Sequence, residues 1–426
     1  MTPRDQAQET EHGTQFKPEV KNVITLTLAF AKAVGKKQKD KADNLIVSPY
    51  NAMACLAMVA SGADRETRAE MAKTLFGMDG AFLVAGVNAY AALNDEILKA
   101  NKGQVELTTA NGVWTNKDLV TLRQAFADGL KKTLGAEISA EDYADPATVK
   151  KINDWAAKNT NGLIKEVLKE LHPDDAAVLA SALYFKGQWT SKFDKSLTQD
   201  KVFKTDGAGA SQTPTMHQDF EKGLSYQKGK DFEAVALTYG ENKHTDKESK
   251  YPTMRIVLVR PTDTAVSARD WLAGQPAGKV PAWLDPWAFE QATGSVELPR
   301  LDIKQKHDLI PALEDMGITK AFHRGADFTK MVEAGGDKLY VSQVSHDVVF
   351  KTDEQGSEAA AVTTAVMTLE CAFRPPVNVD VKLDRSFVFA LQDIKTGAVL
   401  FVGAVNKPNN DMKPEKKKRK TKTISM

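Results

Sequence analysis

A chain of 426 residues, 42% hydrophobic and 27% charged, carries enough apolar material for a large packed core and excludes a low-complexity or disordered class. Its net charge of +1 conceals an asymmetry: residues 411–426 hold seven Lys or Arg and two acids, a local +5, so the body sums to −4 and offers no nucleic-acid platform. Two cysteines, Cys55 and Cys371, lie 316 residues apart, imply no disulfide framework and fit a reducing compartment.

After a polar extension over residues 1–17, Pro18 to Val34 reads as a helix with Val23, Leu26, Phe30 and Val34 on one face. Its apolar part is about a dozen residues and includes Lys32, so neither a signal peptide nor a membrane span is expected. An intracellular protein follows, with secretion left open if a signal was removed. "NLIVSPYNAMACLAMVASGA" (44–63) starts as a strand, breaks at Ser48-Pro49 and continues as a helix apolar nearly all round, hence buried. In "TRAEMAKTLFG", Thr67 and Glu70 are spaced as a capping box and Gly77 stops the helix. Residues 106–114 look like a strand, 149–171 like two helices joined near Asn161-Gly162, and 176–189 like a long buried strand. From about 202 the pattern is largely β, through 255–261 and 295–304, interrupted by one helix near 306–316 and by a Pro- and Trp-containing stretch over 270–290 that reads as loop with short helical pieces. Strand-like runs at 338–352, 377–382, 386–393 and 398–405 end the ordered pattern. The basic run "KPEKKKRKTK" (413–422) reads as a solvated tail, a nuclear address, or a contact for nucleic acid or another anionic surface.

Helices dominate the first half and strands the second, without repeat or linker, which argues for an α+β fold and against a doubly wound sheet. No phosphate-binding Gly loop, HExxH, CxxC or G-x-S-x-G occurs, and the seven histidines have no metal-ligand spacing. Neither enzymatic activity nor a cofactor nor a metal is expected. One segment stands apart: "DEQGSEAAAVTTAVMTLECAFRPP" (353–376) is a nearly uncharged strand former of the kind proteins avoid leaving exposed.

Seven stretches, in this order, resemble the serpins, a family usually made of inhibitors of serine or cysteine proteases: "NLIVSPYNAMACLAMVASGADRETRAEMAKTLF", "INDWAAKNTNGLI", "ALYFKGQW", "PTMHQ", "LPRLDIKQKHDLIPALEDMGITKAF", "EQGSEAAA" and "FVFALQDIKTGAVLFVG". The resemblance implies one domain over 18–408 with about nine helices and three β-sheets, a reactive-centre loop near 354–376, and a basic tail over 409–426. It further implies a metastable monomer that is attacked as a substrate and traps its protease in a covalent 1:1 complex, as the cleaved loop inserts into the largest sheet. A non-inhibitory serpin, acting as a binding or carrier protein, is the alternative.

By that resemblance the loop hinge comprises Glu354, Gly356, Ser357, Ala359, Ala360, Ala361 and Thr363, and the residues sharing the face of Ser357 are small or apolar, with no charge to bury. The family's spacing, fourteen residues past Gly356, places the scissile bond at Glu370–Cys371, which implies a target protease that prefers Glu. Arg374 is the basic alternative, but cleavage there would add about 13 Å of slack to an inserted strand of about 46 Å, and Pro375 follows it. By the same resemblance a hydrogen-bonded "shutter" under the sheet maps onto Ser48, Asn51, Ser181 and His346, with Ser and Asn exchanged between positions 51 and 181 relative to the family's pattern. Trp189 matches the family's buried Trp where the loop first enters.

Overall fold

The computed structural model describes residues 17–207, 209–244, 249–276, 278–334, 339–357 and 376–409. In chain order it forms α1 (Pro18–Lys37), β1 (Leu45–Val47), α2 (Pro49–Gly62), α3 (Arg65–Phe76), α4 (Leu83–Asn101), β2 (Glu106–Asn116), α5 (Gln124–Leu134), β3 (Glu137–Glu141), α6 (Pro146–Asn159) and β4 (Ala177–Gln188). A second half follows with β5 (Gln199–Thr205), β6 (Gly209–Lys228), β7 (Phe232–Tyr239), β8 (Met254–Pro261), α7 (Ala268–Ala273), β9 (Glu290–Pro299), β10 (Leu301–Asp308) and α8 (Ile310–Asp315). Last come β11 (Val341–Thr352), β12 (Gly356–Ser357), β13 (Val377–Lys382), β14 (Phe387–Asp393) and β15 (Val399–Val405), besides short 3-10 turns and strands of two or three residues. Eight α-helices are present among the described residues, against about nine expected.

Three main sheets result, besides two small two-stranded ones. The central one has the order β10-β11-β4-β2-β3, with β12 at the end of β4. A second runs β1-β15-β14-β8-β7, and β6 joins it to the third, built from β5, β6, β9 and β13. α2 lies between β2 and β4 on one side and β15 on the other. All of its residues except Ser61 are buried, as an all-round apolar helix requires. Each of Leu56, Met58 and Val59 contributes about 1.5–3 kcal/mol by leaving water. Pro49 at its first turn has no N–H to strand, so the break at Ser48-Pro49 begins the helix cleanly.

Two expected features are corrected. Residues 163–171 are not a second helix, because the Asn153 side chain takes over their backbone groups: its Oδ1 accepts from the Val167 and Leu168 amides at 2.9 and 3.0 Å, and its Nδ2 donates to the Leu168 carbonyl at 2.8 Å. Ile164, Val167 and Leu168 thereby join α6, Trp114 and Tyr143 in a cluster over Val178 and Ala180 on the front of β4. Nor do Thr67 and Glu70 form a capping box. α3 begins at Arg65, the Thr67 hydroxyl accepts from the Asp327 amide, and Glu70 accepts from the Thr319 and Lys320 amides. Tertiary partners have claimed both side chains, while Gly77 ends α3 in the left-handed region at φ 64° as anticipated.

Candidate functional site

The centre of the main sheet is split. β4 and β11 run parallel and pair from Ala177↔Val341 only as far as Ser181↔His346. Above that point β12 pairs antiparallel with the far end of β4, Gly356 opposite Gln188 and Ser357 opposite Gly187. A strand returning from β11 through a tight turn must run antiparallel to it, and therefore antiparallel to β4 as well. The parallel pair is consequently the arrangement into which one more strand fits.

The turn at the mouth is held from every side. Asp353 and Gly356 exchange backbone hydrogen bonds at 2.8 and 3.1 Å. Gly356 has φ 128°, and a Cβ there would lie 2.1 Å from the Gly187 carbonyl oxygen, so only glycine permits this approach. The Trp189 ring, buried and stacked on Tyr239 at 4.3 Å, donates from Nε1 to the Asp353 carbonyl at 2.7 Å, and its amide donates to the Gln355 carbonyl. Glu354 is buried. Its carboxylate receives Nε and Nη2 of Arg300 at 2.6–3.1 Å together with the Thr198 hydroxyl. Burial raises the Glu354 pKa, but the Arg300 and Thr198 hydrogen bonds outweigh it and leave the carboxyl below its usual range.

Where the ladder stops, His346 is fully enclosed. Its Nε2 accepts the Ser48 amide at 2.9 Å, which places the ring proton on Nδ1, facing the Ser181 hydroxyl at 3.4 Å. The Ser48 hydroxyl donates to the Leu400 carbonyl at 2.7 Å, tying the α2 start to β15. Burial, reinforced by the ring of His307 6.3 Å away, pushes the His346 pKa down to about 3, so this histidine is neutral. Asn51 is also buried but makes no side-chain hydrogen bond among the described residues, and it does not reach Ser181.

The structure thus brings Ser48, Ser181 and His346 together, leaves Asn51 beside them unbonded, and gathers Glu354, Gly356 and Trp189 at the mouth. Ser357 is placed by its backbone only. Ala359, Ala360, Ala361, Thr363, Glu370, Cys371, Arg374 and the basic tail lie outside the described residues. Arg300, Thr198 and Tyr239 were not legible as site residues. Arg300 occupies the single-residue break between β9 and β10, an interruption visible in "ELPRLDIK", but nothing in the sequence pairs position 300 with position 354.

The family model described as Serpin (serine protease inhibitor) matches residues 22–408. Serpin-ZXA of Oryza sativa subsp. japonica is 32% identical over 376 residues, covering 86% of this chain and 90% of that protein. Among solved structures, Arabidopsis AtSerpin1 in its native stressed conformation aligns with a TM-score of 0.75 at 25% identity, covering 92% of this chain and 98% of that one. Human thyroxine-binding globulin aligns with a TM-score of 0.77 at 25% identity over 92% of this chain and 100% of that one. With nearly the whole chain matched and the parallel strand pair open beside the short antiparallel strand β12, the chain belongs to the serpin family.

Proposed function

We propose that this serpin is an irreversible suicide-substrate inhibitor of serine proteases, attacked at Glu370–Cys371. The protease's serine oxygen adds to the Glu370 carbonyl, the Cys371 nitrogen leaves with a proton as a new N-terminus, and Glu370 stays esterified to the enzyme. The freed loop then enters between β4 and β11 and carries the protease with it. The observation that supports this most is β12, a hinge already paired antiparallel with β4 at the mouth of an open parallel pair. Continuing its register would set Ala359 opposite Phe185, Ala361 opposite Leu183 and Thr363 opposite Ser181. Leu183, Leu179 and Ala177 belong to the main core, so the face of Ser357 would enter the core with small or uncharged residues, and Glu358 would meet the half-buried Lys186 on the other face. Insertion replaces one short parallel ladder by two antiparallel ones, which supplies the driving force.

The competing reading is a carrier, since the fold is shared with thyroxine-binding globulin. Incubation with a Glu-preferring serine protease followed by denaturing electrophoresis separates the two. An inhibitor yields a band of summed mass that survives boiling. Clean cleavage without that band leaves the carrier standing.

A further inference from the structure

A groove of about 710 Å³ lies between α1, α3, the end of α7 and the turn after α8, far in sequence from the loop and its mouth. That volume lies within the range of small-molecule sites. One stripe of α1 forms a wall, because Asn22, Thr25, Ala29, Lys32 and Lys36 recur at helical spacing and all line the groove. Its floor is apolar, with Leu26, Ala33, Leu272 and Met316. Three lysines edge it, Lys32 and Lys36 from α1 and Lys73 from α3.

These cations are uncompensated, whereas the groove's acids are engaged. Asp315 is paired with Lys37 at 2.9 Å, and Glu70 accepts two backbone amides at 2.8 and 2.9 Å. Among the described residues no carboxylate lies within 4 Å of the Lys32, Lys36 or Lys73 ammonium. Among the described residues no aromatic ring and no arginine lines the groove, so these residues supply neither a stacking platform nor the fork that holds a phosphate bidentately. What it offers is apolar surface beside point positive charges. We propose that this groove binds a small anionic amphiphile, a medium-chain alkyl carboxylate, with the chain on the apolar floor and the head group between Lys32 and Lys73. The proposal is independent of the inhibitory reading.

Calorimetry on the full chain with octanoate, decanoate and dodecanoate, each below its micelle concentration, tests it. One saturable site is expected, with affinity rising about fourfold per added methylene and decanol binding at least threefold more weakly than decanoate. Lys32→Gln/Lys73→Gln should weaken decanoate about tenfold and leave decanol unchanged. Ala29→Trp, at an exposed position on the wall, should abolish binding of both without disturbing the fold. Non-saturating uptake at many sites, equal binding of acid and alcohol, or undiminished binding by the Ala29→Trp variant would each overturn the assignment.

Discussion

Charge reversal at Glu354 is the sharpest test of how the hinge is held. The carboxylate sits 5% exposed against an Arg300 side chain that is 37% exposed. Removing one member of a buried ion pair costs about 3–5 kcal/mol, and the partial exposure of Arg300 lets water screen part of this, so about 2–3 kcal/mol is expected for Glu354→Lys. That corresponds to roughly a 30- to 150-fold larger population with the mouth open. The Glu354 carbonyl holds the Phe193 amide and the next carbonyl holds Trp189, so losing the clamp releases the turn as a whole. Heating the variant in a graded series and following it by native electrophoresis should show accelerated self-association, with Glu354→Gln intermediate. Because the folded-state pKa of Glu354 is lowered, the clamp contributes above the unfolded value of about 4.3 and is lost as pH falls through the lower folded value. The double variant Glu354→Lys/Arg300→Glu should recover at least half of the loss, an interaction energy of about 1–3 kcal/mol. If the two single losses simply add, the pair does not hold the hinge and the reasoning fails.

Asp347 on β11 keeps only 10% of its side chain exposed, and this partial burial above all, with Glu166 adding, pushes its pKa up to about 6 despite the Ser345 hydroxyl and the Lys306 ammonium 3.9 Å away. The native state therefore keeps a proton between about pH 4 and 6 that the unfolded chain has released, and stability falls as pH rises through that window. Asp347→Asn should raise the urea midpoint above pH 7 by the equivalent of at most about 3 kcal/mol and have no effect near pH 4; an equal gain at both would point to a cause other than charge. Gly356→Ala should detach the hinge from β4, at a cost of about 1–3 kcal/mol for the forced φ, visible as faster proteolysis of the loop. Because the Asn51 amide is buried without a partner, Asn51→Ala should be neutral or stabilising in thermal unfolding, and a loss above about 1 kcal/mol would reveal a bond to a group outside the described residues. Glu370→Arg should redirect covalent complex formation toward trypsin-like enzymes while Arg374→Ala does little, and the reverse pattern would move the scissile bond.

Local patterns were legible where the local chemistry is decisive. The one-sided periodicity of α1, the Pro-initiated and fully apolar α2, the buried β4 and the left-handed Gly77 all appear as read, because burial and backbone sterics leave few alternatives for those residues. The misread elements share one cause. Asn153 satisfies amides fourteen and fifteen residues away and so dissolves a helix that 163–171 would otherwise favour, and Asp327, Thr319 and Lys320 claim the side chains that would have capped α3.

The candidate site divides along the same line. Its motif residues, from Ser48 and Trp189 to Glu354 and Gly356, stand in the sequence because each meets a local demand: a helix start, a buried ring, a glycine-only turn. What only the tertiary structure decided is the pairing: Arg300 on Glu354, the Ser48 amide on His346, Asn51 left without a bond, and β4 beside β11 in parallel. Those contacts join residues separated by 54, 165 and 298 positions, and hydrogen bonds and ion pairs carry no signature along the chain, since any acceptor of suitable chemistry would read the same until the sheets bring one of them within 3 Å.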